Sequence, residues 1–245
     1  MIPLGTVRLS AMASILAIET STTACSVALC VGESRFSRYS EEPRSHTKLI
    51  MAMIDAVLVE AGIAVAELDA IAVTVGPGSF TGLRIGFATV QGLAFGAQIP
   101  VIAVSTLQVM AHTHRRKYDP SDQAAGILMP LLDARMGEFN CGAYKLDRAG
   151  QYQAVIEDQL LSVEDAEQLV AHLKPYAIVG DASSIVNQAA TEQPSYQSIY
   201  PDALDLLDIA VIKQARDEAV DIDSVELVYL RGTEAWKKHT KLRAV

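Results

Sequence analysis

No run of about 18 or more apolar residues occurs in the 245-residue chain, which excludes a membrane-spanning helix. The first 13 residues, Met1 to Ala13, carry Arg8 as their only charge and no continuous apolar stretch, a poor match to a secretory signal. Met1–Ala11 is therefore expected to be a flexible, dispensable extension, with Met1 or Met12 as the true start. Cysteine is scarce. Cys25, Cys30 and Cys141 are unevenly spaced in apolar or alternating segments, which excludes a disulfide frame and fits reduced, buried thiols of a cytoplasmic protein. Histidine is also thin. No two stand four apart, His112 and His114 point about 200° away from each other on a helix, and His46, His172 and His239 are isolated, so no metal site is expected. G-x-S-x-G and the Walker loop are both absent, which removes the hydrolase elbow and the P-loop.

Positive charge is also short, with 20 basic against 29 acidic residues, which disfavours the bulk of the surface as a nucleic-acid platform. The deficit is uneven. Arg231–Val245 holds five basic residues against Glu234, leaving 15 basic and 28 acidic elsewhere.

What remains is a succession of short β-rich runs and amphipathic segments. Ser14–Thr20, Cys25–Val31 and Arg35–Ser40 suggest an antiparallel meander. A helix capped by Ser45 is expected over about His46–Ala61, a strand over Ala70–Val75, and a helix from about Leu83 to Ala97. A strand follows at Pro100–Val104, then a helix opened by the capping box Ser105-Thr106-Leu107-Gln108. The second half repeats the theme. Strands are expected at Ile127–Leu132, Glu138–Leu146, Tyr152–Glu157 and Tyr176–Val179. A helix capped by Ser162 runs to Leu173, and another spans Asp202–Glu218 with Leu204, Leu207, Val211 and Ala215 on one stripe. Duplication of meander, helix, strand and helix predicts an α/β chain of two lobes with mixed sheets flanked by helices. After a flexible extension over 1–13, the first lobe is expected over 14–110, with helix 202–218 packing back on it. The second covers 111–201, and 219–245 forms a tail.

Two loops invite a phosphate. Gly76-Pro77-Gly78-Ser79-Phe80-Thr81-Gly82 lies between a buried strand and a helix, where backbone amides and the helix dipole can hold an anion; the same glycines equally serve a tight turn. Thr20, Ser21 and Thr22 after the first strand form a second candidate cradle or a simple hydroxyl turn. Asp133 and Asp181 end strands, where turn formation outweighs a metal or general-base role.

The two helices of the first half carry the strongest physical signal. Thr47–Ala61 has apolar residues over far more than the ~100° stripe of one core face, and Gly82–Ala97 contains Arg84 as its only charge, with Gly82, Gly86, Gly92 and Gly96 in two small-xxx-small pairs. Such spacing lets another backbone approach closely, by analogy with membrane helices. The expected partner surface is Leu49, Ile50, Met53, Ile54 and Val57 on the first helix and Gly82, Arg84, Ile85, Gly86, Thr89, Val90 and Leu93 on the second. Coverage by the second lobe is the alternative.

ILAIETSTTACSVAL, RSHTKLI, AVTVGPGSFTGLRIGFATVQGLAFG and VSTLQVMA together resemble the bacterial TsaB (YeaZ) family, over most of Ser14 to about Met110. The resemblance is most specific through GPGSFTGLRIG; Leu132–Glu138 and Val228-Tyr229-Leu230-Arg231 share it, whereas Gln151–Pro201 carries little of it. It implies an actin-like ATPase (ASKHA) fold of two ribonuclease-H-like lobes. It also implies a non-catalytic role in making threonylcarbamoyladenosine at position 37 of tRNAs that read codons beginning with A. In that family the transferase is the paralogue TsaD, which carries the metal; TsaB binds and activates it, and the ATPase TsaE joins. By the same resemblance the partner surface serves a heterodimer with TsaD, or a homodimer in its absence, tRNA is met only indirectly, and no cofactor is required. Thr20, Ser21, Thr22, Gly76, Gly78 and Ser79 would then line a vestigial nucleotide site. The paralogue's two metal histidines, four apart, fall on Thr106 and Met110, poor ligands for a hard or borderline ion. Glu19 stands where active members of the superfamily commonly have Asp. The competing reading is an ATP-dependent phosphotransferase or ATPase of the actin-like class, with a peptidase as the weakest option.

Overall fold

The computed structural model describes residues 13–118, 126–181 and 194–231. The expected dispensable stretch Met1–Ala11 and the basic tail after Arg231 lie outside the described residues.

The first sheet has the order β3-β2-β1-β4-β5. β1 (Ser14–Glu19), β2 (Cys25–Val31) and β3 (Ser34–Ser40) form the antiparallel meander, and β4 (Ala70–Gly76) and β5 (Val101–Ser105) run parallel to β1 and to each other. Alternation along the strands sorts two cores. Leu16, Ile18, Val27, Leu29, Ile71 and Val73 face α1 (His46–Ala61) and α2 (Phe80–Ala97), meeting Ile50, Ile54, Val57, Val90 and Ala94. On the opposite face the residues are smaller, with Ala17, Ala28, Ala70 and Ala72 among them, and α5 (Ala203–Ala215) lies across them through Ala203, Leu206, Leu207 and Ala210.

The second sheet has the order β10-β9-β6-β7-β8. Its strands are β6 (Ile127–Arg135), β7 (Glu138–Leu146), β8 (Tyr152–Ser162), β9 (Ala177–Gly180) and β10 (Ser195–Gln197). α4 (Val163–Leu173) covers one face through Ala166 and Val170. α3 (Thr106–Tyr118) covers the other: Leu107, Met110 and Ala111 pack on Leu128, Tyr144 and Val179, while Val109 reaches the alanine-lined core of the first lobe. α3 is thus buried on two sides, and the lobe boundary expected at 110/111 falls inside it.

Several local expectations are corrected. α2 begins at Phe80, not Leu83, because Ser79 caps it: its side chain accepts from Gly82 N at 3.2 Å. Ser45 is the N-cap residue of α1, but its side chain makes no capping hydrogen bond; its hydroxyl donates to Glu42 O at 2.6 Å. The box at Ser105 is half closed. Ser105 Oγ accepts from Leu107 and Gln108 N–H, but the Gln108 amide donates to Tyr152 O. β8 continues from Glu157 to Ser162, paired with β7 as far as Glu138. The buried face of α5 is Ala203, Leu206, Leu207, Ile209 and Ala210, whereas Leu204 and Val211 lie at its margin and Ala215 is exposed. The helix is rotated because Asp205 is buried, held by Arg116 and Thr113 of α3.

Candidate functional site

The two candidate phosphate loops meet at the ends of β1 and β4, and each occupies the other. Ser79 N–H, the kind of amide an anion would need, donates to Ser21 O at 2.7 Å. A Cβ on Gly78 would run into Ser21 O, and one on Gly82 into Thr20 O. Thr20 Oγ1 donates to Gly82 O at 2.9 Å and lies where a Gly86 side chain would be. Thr22 is turned inward, its Oγ1 accepting from Ala24 N and its carbonyl receiving the His46 Nε2–H at 3.0 Å. Gly76 sits at φ +119°, and a Cβ there would meet Val228 O of the C-terminal segment. The glycines therefore act as close-packing residues within the chain.

Beneath this junction Glu19 is wholly buried. Its Oε1 accepts from both the backbone N–H and the hydroxyl of Ser21 at 2.5 Å, and its Oε2 has no partner. Burial pushes its carboxyl up to about 7, against the hydrogen bonds from Ser21 and the nearby Thr74 hydroxyl and aided by Asp202.

Of the residues assigned to a partner surface, Ile50, Ile54, Val57, Gly82, Gly86 and Val90 are buried within the chain itself. They face the sheet or the Thr20 loop, so they cannot supply an external contact in this conformation. Leu49, Met53, Ile85, Thr89 and Leu93 are half-buried and Arg84 is exposed. The outer side of the helix pair adds residues left out of the expected partner surface: Met51 is 47 % exposed, Val59 81 % and Phe95 75 %. Gly92 and Gly96 have open space where a Cβ would stand. Only this second glycine pair is free to admit another backbone.

The places matched to metal histidines are sealed. Thr106 and Met110 are fully buried, Met110 within the core that α3 makes with the second sheet. Among the described residues no three His, Cys, Asp or Glu side chains are placed to share an ion. His112 is buried with its Nε2 accepting from Tyr152 N at 3.2 Å, and burial depresses it to about 4. Burial raises the thiols of Cys25 to about 11 and Cys141 to about 12, so both are poor nucleophiles.

Two clefts of ≈450 and ≈510 Å³ open beside the lobes. The first holds a closed hydrogen-bond group. Ser105 Oγ and Tyr144 Oη each donate to Asp158 at 2.5 Å. Asp158 is thus shared between two hydroxyls, and none of the residues lining this cleft is a histidine. The second contains Asp133 and Asp181. Asp133 accepts from Arg135 N at 2.7 Å, a turn role.

Sequence reasoning missed the part played by Val225–Arg231. Val228 N–H donates to Val75 O at 2.8 Å, Arg84 Nε donates to the Tyr229 hydroxyl at 3.2 Å, and the Arg84 guanidinium lies 3.6 Å from the Phe80 ring centre. Arg231 then reaches the second lobe, donating to Arg135 O and pairing with Glu138. The segment straps one lobe to the other. Its motif was visible in the sequence; its long-range partners carry no local signal.

Comparison with known proteins bears on this geometry. A profile described as TsaD, tRNA N6-adenosine threonylcarbamoyltransferase, matches residues 40–224. The chain is 35 % identical over 229 residues to the tRNA threonylcarbamoyladenosine biosynthesis protein TsaB of Escherichia coli, covering 91 % of this chain and 97 % of that one. It is 33 % identical to the TsaB of Haemophilus influenzae, covering 92 % and 96 %. Among solved structures, a Pseudomonas aeruginosa protein described as similar to peptidase YEAZ superposes with a TM-score of 0.80 at 36 % identity, over 90 % of this chain and all of that one. YeaZ from the same organism gives 0.77 at 34 %, over 89 % and 100 %. The two lobes of mixed sheet flanked by helices are an architecture shared with these relatives. The chain belongs to the TsaB (YeaZ) family of tRNA threonylcarbamoyladenosine biosynthesis proteins, related to the TsaD superfamily.

Proposed function

We propose that this chain is the non-catalytic partner and activator of the threonylcarbamoyl transferase TsaD, acting at adenosine 37 of tRNAs that read codons beginning with A. The observation that carries the reading is the outer side of the α1–α2 pair. There Met51, Val59 and Phe95 are exposed, and Leu49, Met53, Ile85 and Leu93 are only half-buried. Burying such side chains yields roughly 1.5–3 kcal/mol each, enough to drive association. Because TsaD is a paralogue, the same helix pair on its side would complete a four-helix contact, and a homodimer through this face would compete with the heterodimer. TsaE joins this assembly, tRNA is met through TsaD, and the setting is the cytoplasm.

The filled phosphate loops support weak or absent ATP binding in an actin-like fold that has lost its ATPase chemistry. The test is co-purification of the chain with TsaD from the same cell, paired with a threonylcarbamoyl-transfer assay with and without the chain. The reading requires stable association and transfer that depends on both proteins. TsaD that neither binds the chain nor needs it would refute the assignment.

A further inference from the structure

Glu19 is the only described carboxylate in the first lobe's interior that combines complete burial with an oxygen lacking any partner. The hydroxyl of Thr74, on the adjacent parallel strand, is near enough to the same carboxyl to interact with it, yet it is buried and forms no hydrogen bond of good geometry. With the carboxyl ionised, the Thr74 hydroxyl could donate to Oε2 but the charge would stay buried without a counter-ion; with it protonated, Oε2–H can donate to Thr74 Oγ1 and no charge is buried. Among the described residues the surroundings supply no cation. β2 contributes the Cys25 thiol, β4 the Thr74 hydroxyl, and the start of α5 the anionic Asp202. Arg116 of α3 is engaged by Asp202 and Asp205.

We propose that Glu19 is held as the neutral acid, its Oε2–H donated to Thr74 Oγ1, and that its ionisation loosens the Thr20–Ala24 turn and with it the first turns of α1 and α2. The mechanical links are all present. Ser21 is bound to Glu19 Oε1 through both its N–H and its hydroxyl, and its carbonyl accepts from Ser79 N–H at the head of α2. Thr20 Oγ1 holds Gly82 O in the first turn of that helix. Thr22 O and Ala24 O receive the ring N–H of His46, the first residue of α1. A carboxylate forced to ionise in place must draw in water or a cation, and the turn that walls it off is the part able to give way.

The sign follows from the burial. The group lies near 7 in the folded chain against an ordinary value of 4.5. It therefore contributes stability in full below about pH 4.5, and that stability is lost as pH rises through about 7. The span corresponds to about two to three orders of magnitude in the folding equilibrium constant. Any consequence for docking rests on α1 and α2 being the partner face; the measurements below need no partner.

Urea unfolding of the full chain and of Glu19→Gln between pH 5 and 8 isolates the effect, since a neutral amide keeps a donor for Thr74 and cannot titrate. The expected result is a variant more stable than wild type at pH 8, with the fall between pH 5 and 8 reduced by about two orders of magnitude in equilibrium constant. A variant less stable at pH 8 with the wild-type slope retained would overturn the proposal. Should Glu19→Gln not fold, carbon-13 NMR of the Glu19 δ-carbon in wild type decides: titration near neutral pH is expected, and titration complete below pH 5.5 overturns it. Amide protection at Ser79 and Gly82, corrected for intrinsic exchange, is expected to fall across the same interval in wild type. Constant protection there would overturn the coupling to α2.

Discussion

At the scale of single residues, the glycines of α2 divide by what surrounds them. Gly82 and Gly86 touch the Thr20 loop, so Gly86→Val is expected to destabilise the isolated chain by about 1–3 kcal/mol through overpacking. Gly92 has open space, and Gly92→Ala is expected to stabilise by roughly 0.5–1 kcal/mol, the propensity difference in an exposed helix interior. Thermal melts of both variants check the pair; equal effects of the same sign would contradict the division. The sequence could place all four glycines on a helix at four-residue spacing, but spacing is silent about which pair meets the chain's own backbone. Long-range contact, from Thr20 to Gly82 and Gly86, decided it. Asp205 makes a similar point. It falls in an apolar helical stretch and is 3 % exposed at its side chain, held by Arg116, which is 37 % exposed. Removing one partner of a buried pair costs up to about 3–5 kcal/mol; solvent at Arg116 reduces this, so Arg116→Met is expected to cost about 2–3 kcal/mol by urea unfolding. Loss below 0.5 kcal/mol would mean that Asp205 takes up its proton at little expense.

Elements were more legible than contacts. Short apolar runs, glycine and proline punctuation and the Ser162 cap marked strands and helices in the right order, because period-2 and period-3.6 patterns are local. Ends were less legible. Ser45 and Ser105 look like caps in sequence, yet the Ser45 hydroxyl turns back to Glu42, and Ser105 holds only its half of the box. An all-round apolar helix also proved ambiguous. α1 and α2 each bury one side on the sheet and leave large side chains on the other, and composition alone does not say which residues fall on which side. The expected external contact now rests on Met51, Val59, Leu93 and Phe95. Met51→Glu and Phe95→Glu should each weaken TsaD binding at least tenfold, about 1.4 kcal/mol or more, with unchanged circular dichroism and melting temperature. Wild-type affinity in both would place the contact elsewhere.

Over the whole molecule, two lobes are joined by α3, buried against both, and by the strap Val225–Arg231. Arg231→Ala breaks the reach to Glu138 and Arg135 O. As a partly exposed ion pair it is expected to cost no more than about 1 kcal/mol globally, while lowering amide protection at Val228 in hydrogen exchange. Among the described residues the two glycine- and hydroxyl-rich loops close on each other, and Thr106 and Met110 lie in the core.

The most direct test of that account is threonylcarbamoylation of tRNA reconstituted from purified TsaD, TsaE and this chain, with threonylcarbamoyl-AMP supplied, measured as each protein is omitted in turn. The account predicts no product from this chain alone, product with TsaD only when this chain is present, and loss of that product with Phe95→Glu. Modification of tRNA by this chain without TsaD, or undiminished transfer by TsaD in its absence, would contradict it.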